Sequence, residues 1–184
     1  MKKILIVMGS PRKGGNTDLL VRKLAEGAAS KGAQVDTIML AGLNIRECDG
    51  CHVCWKGKSC CKKDDMLGLY EKIIDSDAIV FGTPVYWFGP TALMKAFIDR
   101  FVYFNCPENR VKIKGKAVAT IIPFEDDTID TVRPLVELFE KSFDYLEMRL
   151  VGSVVVGGVG DKGDILKKPD RLNEAYELGK RLAD

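Results

Sequence analysis

Ile4-Leu5-Ile6-Val7-Met8-Gly9-Ser10-Pro11-Arg12-Lys13-Gly14-Gly15-Asn16-Thr17 is the stretch that decides the fold. Its apolar run has no polar alternation, which suits a strand covered on both faces. A polar, glycine-rich loop follows, and behind it Leu20, Val21, Leu24, Ala25 and Ala28 recur at helical spacing. Buried strand, short loop and amphipathic helix make the first half of a βαβ unit. The same alternation continues outward, with apolar runs at residues 35–40, 78–82, 117–122 and 151–156. Between them lie helical patterns at Leu93 to Phe101, Val132 to Leu146 and Leu172 to Leu182. A short helix from about Met66 to Asp75 is expected as well, with Asp64 or Asp65 as its N-cap. This order predicts an α/β fold, an open twisted parallel sheet with helices on both faces. No repeat, low-complexity tract or linker interrupts it, so residues 1–184 are expected to form one domain.

Composition adds few constraints. Lys plus Arg is 28 and Asp plus Glu 26, a net charge of +2, with 46% apolar and 29% charged residues. That balance argues against disorder and supplies no electrostatic reason for nucleic acid or an anionic membrane as partner. The start, Met1-Lys2-Lys3 and then Ile4 to Met8, imitates a secretion signal, but the apolar run is short and no small-residue cleavage site follows. The longest uncharged stretch, residues 78–94, contains Gly82, Pro84, Gly89 and Pro90 and is short for a bilayer. A cytoplasmic location with no membrane span is the expectation. Of six cysteines, five fall between positions 48 and 61 and the sixth is Cys106. In a reducing compartment, cysteines so clustered more often hold metal or do redox chemistry than staple a fold.

Ligands of open parallel sheets bind beyond the carboxyl ends of the strands, which singles out three loops: Gly9 to Thr17, Thr83 to Gly89 and Pro123 to Thr128. In the first, Ser10, Asn16 and Thr17 offer side-chain donors, Arg12 a fixed charge, and the start of the helix its free N–H groups, which together suit a phosphate. An ordinary strand-to-helix turn is the competing reading. No Gly-Lys-Ser/Thr closes the loop and no G-x-G-x-x-G is present, so a nucleoside triphosphate and a Rossmann-bound dinucleotide both lose support. The second loop, Thr83-Pro84-Val85-Tyr86-Trp87-Phe88-Gly89-Pro90, presents three successive aromatics that need a planar or apolar cover.

These two loops in this order, with Lys95-Ala96-Phe97-Ile98-Asp99-Arg100, resemble the NAD(P)H-dependent FMN reductase branch of the flavodoxin-like superfamily from Lys3 to about Gly160. The resemblance implies a five-stranded sheet of order 2-1-3-4-5 and one FMN. It implies that Ser10, Arg12, Asn16 and Thr17 hold the phosphate, and that Pro84, Val85, Tyr86, Trp87 and Phe88 lie along the ribityl chain and ring. Ile122-Pro123-Phe124-Glu125-Asp126-Asp127 departs from the family pattern, which more often has glycine or small polar residues there.

Within a cysteine-rich loop at about 46–63, Cys48-x2-Cys51-x2-Cys54-x5-Cys60 packs three thiols into seven residues, the tight winding of a ferredoxin-type cluster loop. Structural zinc more usually takes two separated pairs. Cys61 follows Cys60 directly, and spacing leaves either as fourth ligand. Upstream of Lys63-Asp64-Asp65-Met66, this segment resembles the iron–sulfur flavoproteins. That resemblance implies one [4Fe–4S] cluster on Cys48, Cys51, Cys54 and Cys60, and a homodimer or homotetramer. His52, the only histidine, receives no role; Lys56, Lys58, Lys62 and Lys63 form a basic rim able to steer an acidic donor such as a ferredoxin.

The leading expectation is an electron-transfer flavoprotein in which the cofactors carry the chemistry. No His/Asp/Ser constellation is present, and no residue is assigned a catalytic role. A cluster-free NAD(P)H-dependent reductase of flavin, quinone or azo compounds is the second reading. A thiol or zinc redox sensor is the third.

Overall fold

The computed structural model describes residues 1–184. Five strands, β1 (Lys3–Met8), β2 (Gln34–Met39), β3 (Ala78–Gly82), β4 (Ala117–Pro123) and β5 (Arg149–Val156), form one sheet. The order is β2-β1-β3-β4-β5 and every pairing is parallel, as the resemblance implied. Central strands β1, β3 and β4 are buried almost throughout, which is why their sequences show no alternation. The edge strands differ from the expected doubly covered runs: β2 exposes Gln34, Asp36 and Thr37, and β5 exposes Arg149 and Leu150. A register shift at Val118/Ala119 pairs Val118 with Leu150 and Ala119 with Gly152, so β5 is bulged at its start.

Helices α1 (Asn16–Ser30) and α6 (Pro169–Ala183) cover one face of the sheet, where Leu20, Leu24, Ala175 and Leu178 pack with Ile6, Val80 and Ala119. Helices α2 (Met66–Asp75), α3 (Ala92–Asp99) and α5 (Ile129–Tyr145) cover the other, around Phe81, Phe97, Phe101, Phe139 and Phe143. A four-residue helix, α4 (Pro107–Arg110), lies between α3 and β4. The N-cap expected of α2 divides between two residues. Asp65 occupies the position, but its Oδ2 accepts from Asn44 N–H at 2.7 Å, while Asp64 Oδ1 accepts from Met66 N–H at 3.3 Å. No helix is long and apolar enough to cross a membrane.

The carboxyl ends of β1, β3, β4 and β5 lie side by side, and ladder hydrogen bonds extend into their loops. Gly9 N–H donates to Gly82 O, Thr83 N–H to Ile121 O, and Phe124 N–H to Val156 O. Thr91 joins the first two loops, its hydroxyl donating to Gly9 O at 2.9 Å and its N–H to Thr83 Oγ1 at 3.2 Å.

Candidate functional site

A hollow of about 350 Å³ opens where those strand ends meet. Ser10, Arg12, Gly15, Asn16 and Thr17 line its floor, Pro84, Val85, Tyr86 and Trp87 one wall, and Pro123, Phe124, Glu125, Val159, Gly160 and Lys162 the other. Phe88 lines an adjoining groove with Val85, Trp87, Phe124 and Glu125. The structure therefore brings the residues of the first two predicted loops to one place. The volume lies in the range of small-ligand sites.

At the floor, Asn16, Thr17 and Asp18 begin α1, so their N–H groups have no carbonyl one turn back, and Gly15 places no side-chain cap on them. Buried Ser10 and Thr17 and exposed Arg12 surround this end of the helix. The loop's shape is held from behind. Gly14, in the left-handed conformation at φ +69°, donates its N–H to Asp18 Oδ2 at 2.7 Å, and Arg22 binds the same carboxylate twice. Burial would raise the Asp18 carboxyl, but the hydrogen bonds from Arg22 and Gly14 win and hold it below the usual carboxylate value.

Asn16 is used differently from the expected phosphate contact. Its Nδ2 donates to Val159 O at 3.0 Å and Asp161 O at 2.9 Å, while Oδ1 accepts from the N–H groups of Gly163 and Ile165, each at 3.1 Å. The amide is spent on the 159–165 segment, leaving only the Asn16 backbone N–H for an anion. That clamp brings Lys162 over Gly14, adding a second cation to the floor. Sequence reasoning missed this segment, although Gly157-Gly158-Val159-Gly160-Asp161-Lys162-Gly163 follows β5 just as the chosen loops follow β1, β3 and β4.

The aromatic wall ends in a strained tip. Tyr86 and Gly89 exchange both backbone hydrogen bonds, at 2.8 and 3.0 Å, across a two-residue turn in which Trp87 (φ 49°) and Phe88 (φ 63°) are left-handed. Asn-Gly is the usual occupant of such a turn, and a bulky residue there costs on the order of 1–3 kcal/mol. In return both aromatics are displayed: Trp87 is 95% exposed beside the hollow.

The cysteine segment lies apart, between β2 and α2, against the short 3-10 helix Arg100–Asn105. Its anchor is Arg100, whose role the helical spacing concealed. The buried guanidinium donates from Nη1 to Asp64 Oδ2 at 2.6 Å and Arg46 O at 2.9 Å, and from Nη2 to Asp64 Oδ1 at 3.2 Å and Cys60 Sγ at 3.3 Å. Burial alone would lower the arginine, but its bonds to Asp64 dominate and hold it above the ordinary value. Cys48, Cys51, Cys54, Cys60 and Cys61 all line one hollow of about 20 Å³, room for about one water-sized body. Five thiols are a donor set suited to iron–sulfur or zinc, yet no three Cys, His, Asp or Glu side chains form a group able to hold an ion as they stand. Cys54 is buried with Sγ toward Val102 O, and burial pushes its thiol up. Cys51 and Cys61 are exposed and face each other at 3.4 Å. Trp55 is 44% exposed and lies edge-on to His52. Of the basic rim, Lys62 is paired with Asp49, while Lys56, Lys58 and Lys63 are exposed. Cys106 is a buried thiol.

Comparison with known proteins decides the family: the sequence model of the NADPH-dependent FMN reductases matches residues 2–160. The chain belongs to that family. It is accordingly an FMN-dependent oxidoreductase with a flavodoxin-like fold. An iron-sulfur flavoprotein of Methanocaldococcus jannaschii is 37% identical over 195 aligned residues, which cover 99% of this chain and 96% of that protein. Among solved structures, an NAD(P)H:quinone oxidoreductase from Methanothermobacter marburgensis superposes with a TM-score of 0.77 at 18% identity, over 99% of this chain and 95% of the other. An archaeal flavodoxin does so with a TM-score of 0.60 at 16% identity, covering 100% and 96%. At those identities the likeness shows the fold alone.

Proposed function

We propose that this FMN reductase family member is an iron–sulfur flavoprotein, with FMN in the hollow at the strand ends and a [4Fe–4S] cluster on Cys48, Cys51, Cys54 and Cys60. The observation that carries it is the set of clustered thiols on a loop clamped by the buried Arg100–Asp64 pair, with an Arg100 N–H already directed at Cys60 Sγ. Such N–H···S bonds are a usual second sphere of thiolate-held centres. When bound, FMN supplies one- and two-electron chemistry and the cluster single-electron steps.

The chain's own residues bind and orient. Arg12, Lys162, Ser10, Thr17 and the first-turn N–H groups of α1 hold the phosphate. Pro84, Val85, Tyr86, Trp87 and Phe88 flank the ribityl chain and ring and exclude water, while Asn16 fixes the 159–165 wall. The exposed Trp87–Phe88 tip is the surface that a second copy covers, in a homodimer or homotetramer. The donor is NAD(P)H or a ferredoxin steered by Lys56, Lys58 and Lys63, and the location is the cytoplasm.

A cluster-free NAD(P)H-dependent reductase of flavin, quinone or azo compounds is the second reading, favoured by the failure of the thiols to converge. Anaerobic purification with FMN, iron, sulfide and zinc assayed per chain separates the two. About four irons with matching sulfide and one FMN support the first reading. FMN with neither iron nor zinc supports the second, and zinc without flavin a metal-dependent sensor.

A further inference from the structure

Five thiols line the cysteine hollow where a [4Fe–4S] cluster would take four, and the structure shows what the fifth faces. Cys61 Sγ lies 3.4 Å from Cys51 Sγ, both residues are exposed, and no other pair of cysteines is in hydrogen-bonding contact. Cys60 is turned the other way, onto Arg100, and Cys54 toward Val102. The two limbs that carry the facing thiols are tied together beside them. Lys62, next to Cys61, binds Asp49 Oδ2 at 2.9 Å, and Asp49 Oδ1 accepts the N–H of Cys51 at 3.3 Å. A disulfide spans about 2.05 Å, so the sulfurs need to approach by only about 1.4 Å.

We propose that Cys51 and Cys61 are a redox modification site, forming a reversible disulfide when the loop carries no cluster. With hydrogen peroxide as oxidant, one thiol gives up its proton, the thiolate attacks a peroxide oxygen, the O–O bond breaks, and the leaving hydroxide takes up that proton, so that a sulfenic acid and water form. The second thiol displaces hydroxide from that sulfur, the S–S bond forms, and the hydroxide takes up the remaining proton as a second water. Two sulfurs lose two electrons in all and peroxide gains them; a dithiol such as dithiothreitol reverses the step. The bond withdraws Cys51 from ligation, so the oxidised loop cannot take up a cluster. That last consequence rests on the iron–sulfur reading, and the disulfide itself does not.

The test uses the full-length chain, reduced, freed of metal by a chelator, and exposed to stoichiometric hydrogen peroxide. Free thiols fall from six to four, peptide mapping without reductant links Cys51 to Cys61, and the link is absent in Cys61→Ser, whose exposed position leaves folding and FMN content unchanged. Cys51 joined to another cysteine, or overoxidised while Cys61 stays a thiol, overturns the site. A second arm offers ferrous iron and sulfide to the oxidised and reduced chains and reads visible absorption. The oxidised chain builds no cluster until dithiothreitol is added; equal loading of both forms overturns the coupling. If the reduced chain also builds none, the iron–sulfur reading fails while the mapped disulfide stands.

Discussion

Arg100 and Asp64 form a bidentate ion pair whose side chains are 1% and 0% exposed, and it joins the end of α3 to the cysteine loop. The same carboxylate accepts from Arg46 N–H at 3.0 Å, and the same guanidinium reaches Arg46 O and Cys60 Sγ, so both limbs of the loop converge on one pair. Tyr70 OH donates to the Arg100 carbonyl at 3.2 Å, tying α2 into the arrangement.

Breaking this pair from one side leaves a buried charge without a partner, which costs about 3–5 kcal/mol. Asp64→Ala and Arg100→Met each therefore lower unfolding free energy by about that much, measured by urea denaturation. The double variant loses less than the sum of the two.

Acid acts on the same pair. Burial would raise Asp64, but hydrogen bonds from Arg100 and Arg46 outweigh it and hold its carboxyl below the ordinary value. A depressed carboxylate contributes stability that is complete above its unfolded value, about 3.9, and is lost as pH falls through the lower folded value. Stability against thermal unfolding should fall below about pH 4, and the acid slope should be shallower in Asp64→Asn.

Asn16→Ala removes four hydrogen bonds to the 159–165 segment in one step. Faster amide exchange at Gly163 and Ile165 is expected, with FMN affinity lowered about tenfold, the equivalent of about 1.4 kcal/mol. Fluorescence titration of apoprotein reads the affinity. Unchanged affinity with faster exchange would separate the clamp from the flavin site.

Gly27 and Gly179 mark the close crossing of α1 and α6. A Cβ at Gly27 would overlap the Tyr176 carbonyl and one at Gly179 the Leu24 carbonyl, both backbone atoms that cannot step aside. Either glycine changed to alanine costs about 1–3 kcal/mol or more, despite the better helix propensity of alanine. Equilibrium unfolding is the measurement.

How much of this was legible follows from what each residue needs. The buried strands could be read because β1, β3 and β4 are covered on both faces and therefore apolar without alternation. That the first two loops meet in one hollow could be read because loops that follow neighbouring parallel strands lie side by side at their carboxyl ends. Arg100 could not: in its own helix it fits the amphipathic spacing, and its partner Asp64 lies 36 residues upstream. Asn16 looked like a donor to phosphate because nothing local shows that a segment more than 140 residues away claims its amide. Lys162 was hidden for the same reason, since only that clamp carries it to Gly14. The facing of Cys51 and Cys61 depends on how two loop limbs fold back, which spacing alone leaves open.

The proposed function requires two separate cofactor sites, the hollow for FMN and the cysteine loop for a cluster. FMN and iron per chain, measured anaerobically in wild type, Cys48→Ala and Arg12→Ala, decide whether the two sites are independent. The expected result is loss of iron and sulfide with FMN retained in Cys48→Ala, and FMN binding weakened at least tenfold with iron retained in Arg12→Ala, since a charged hydrogen bond is worth about 1.5–3 kcal/mol. Loss of both cofactors together in either variant, or iron unaffected by Cys48→Ala, would contradict it.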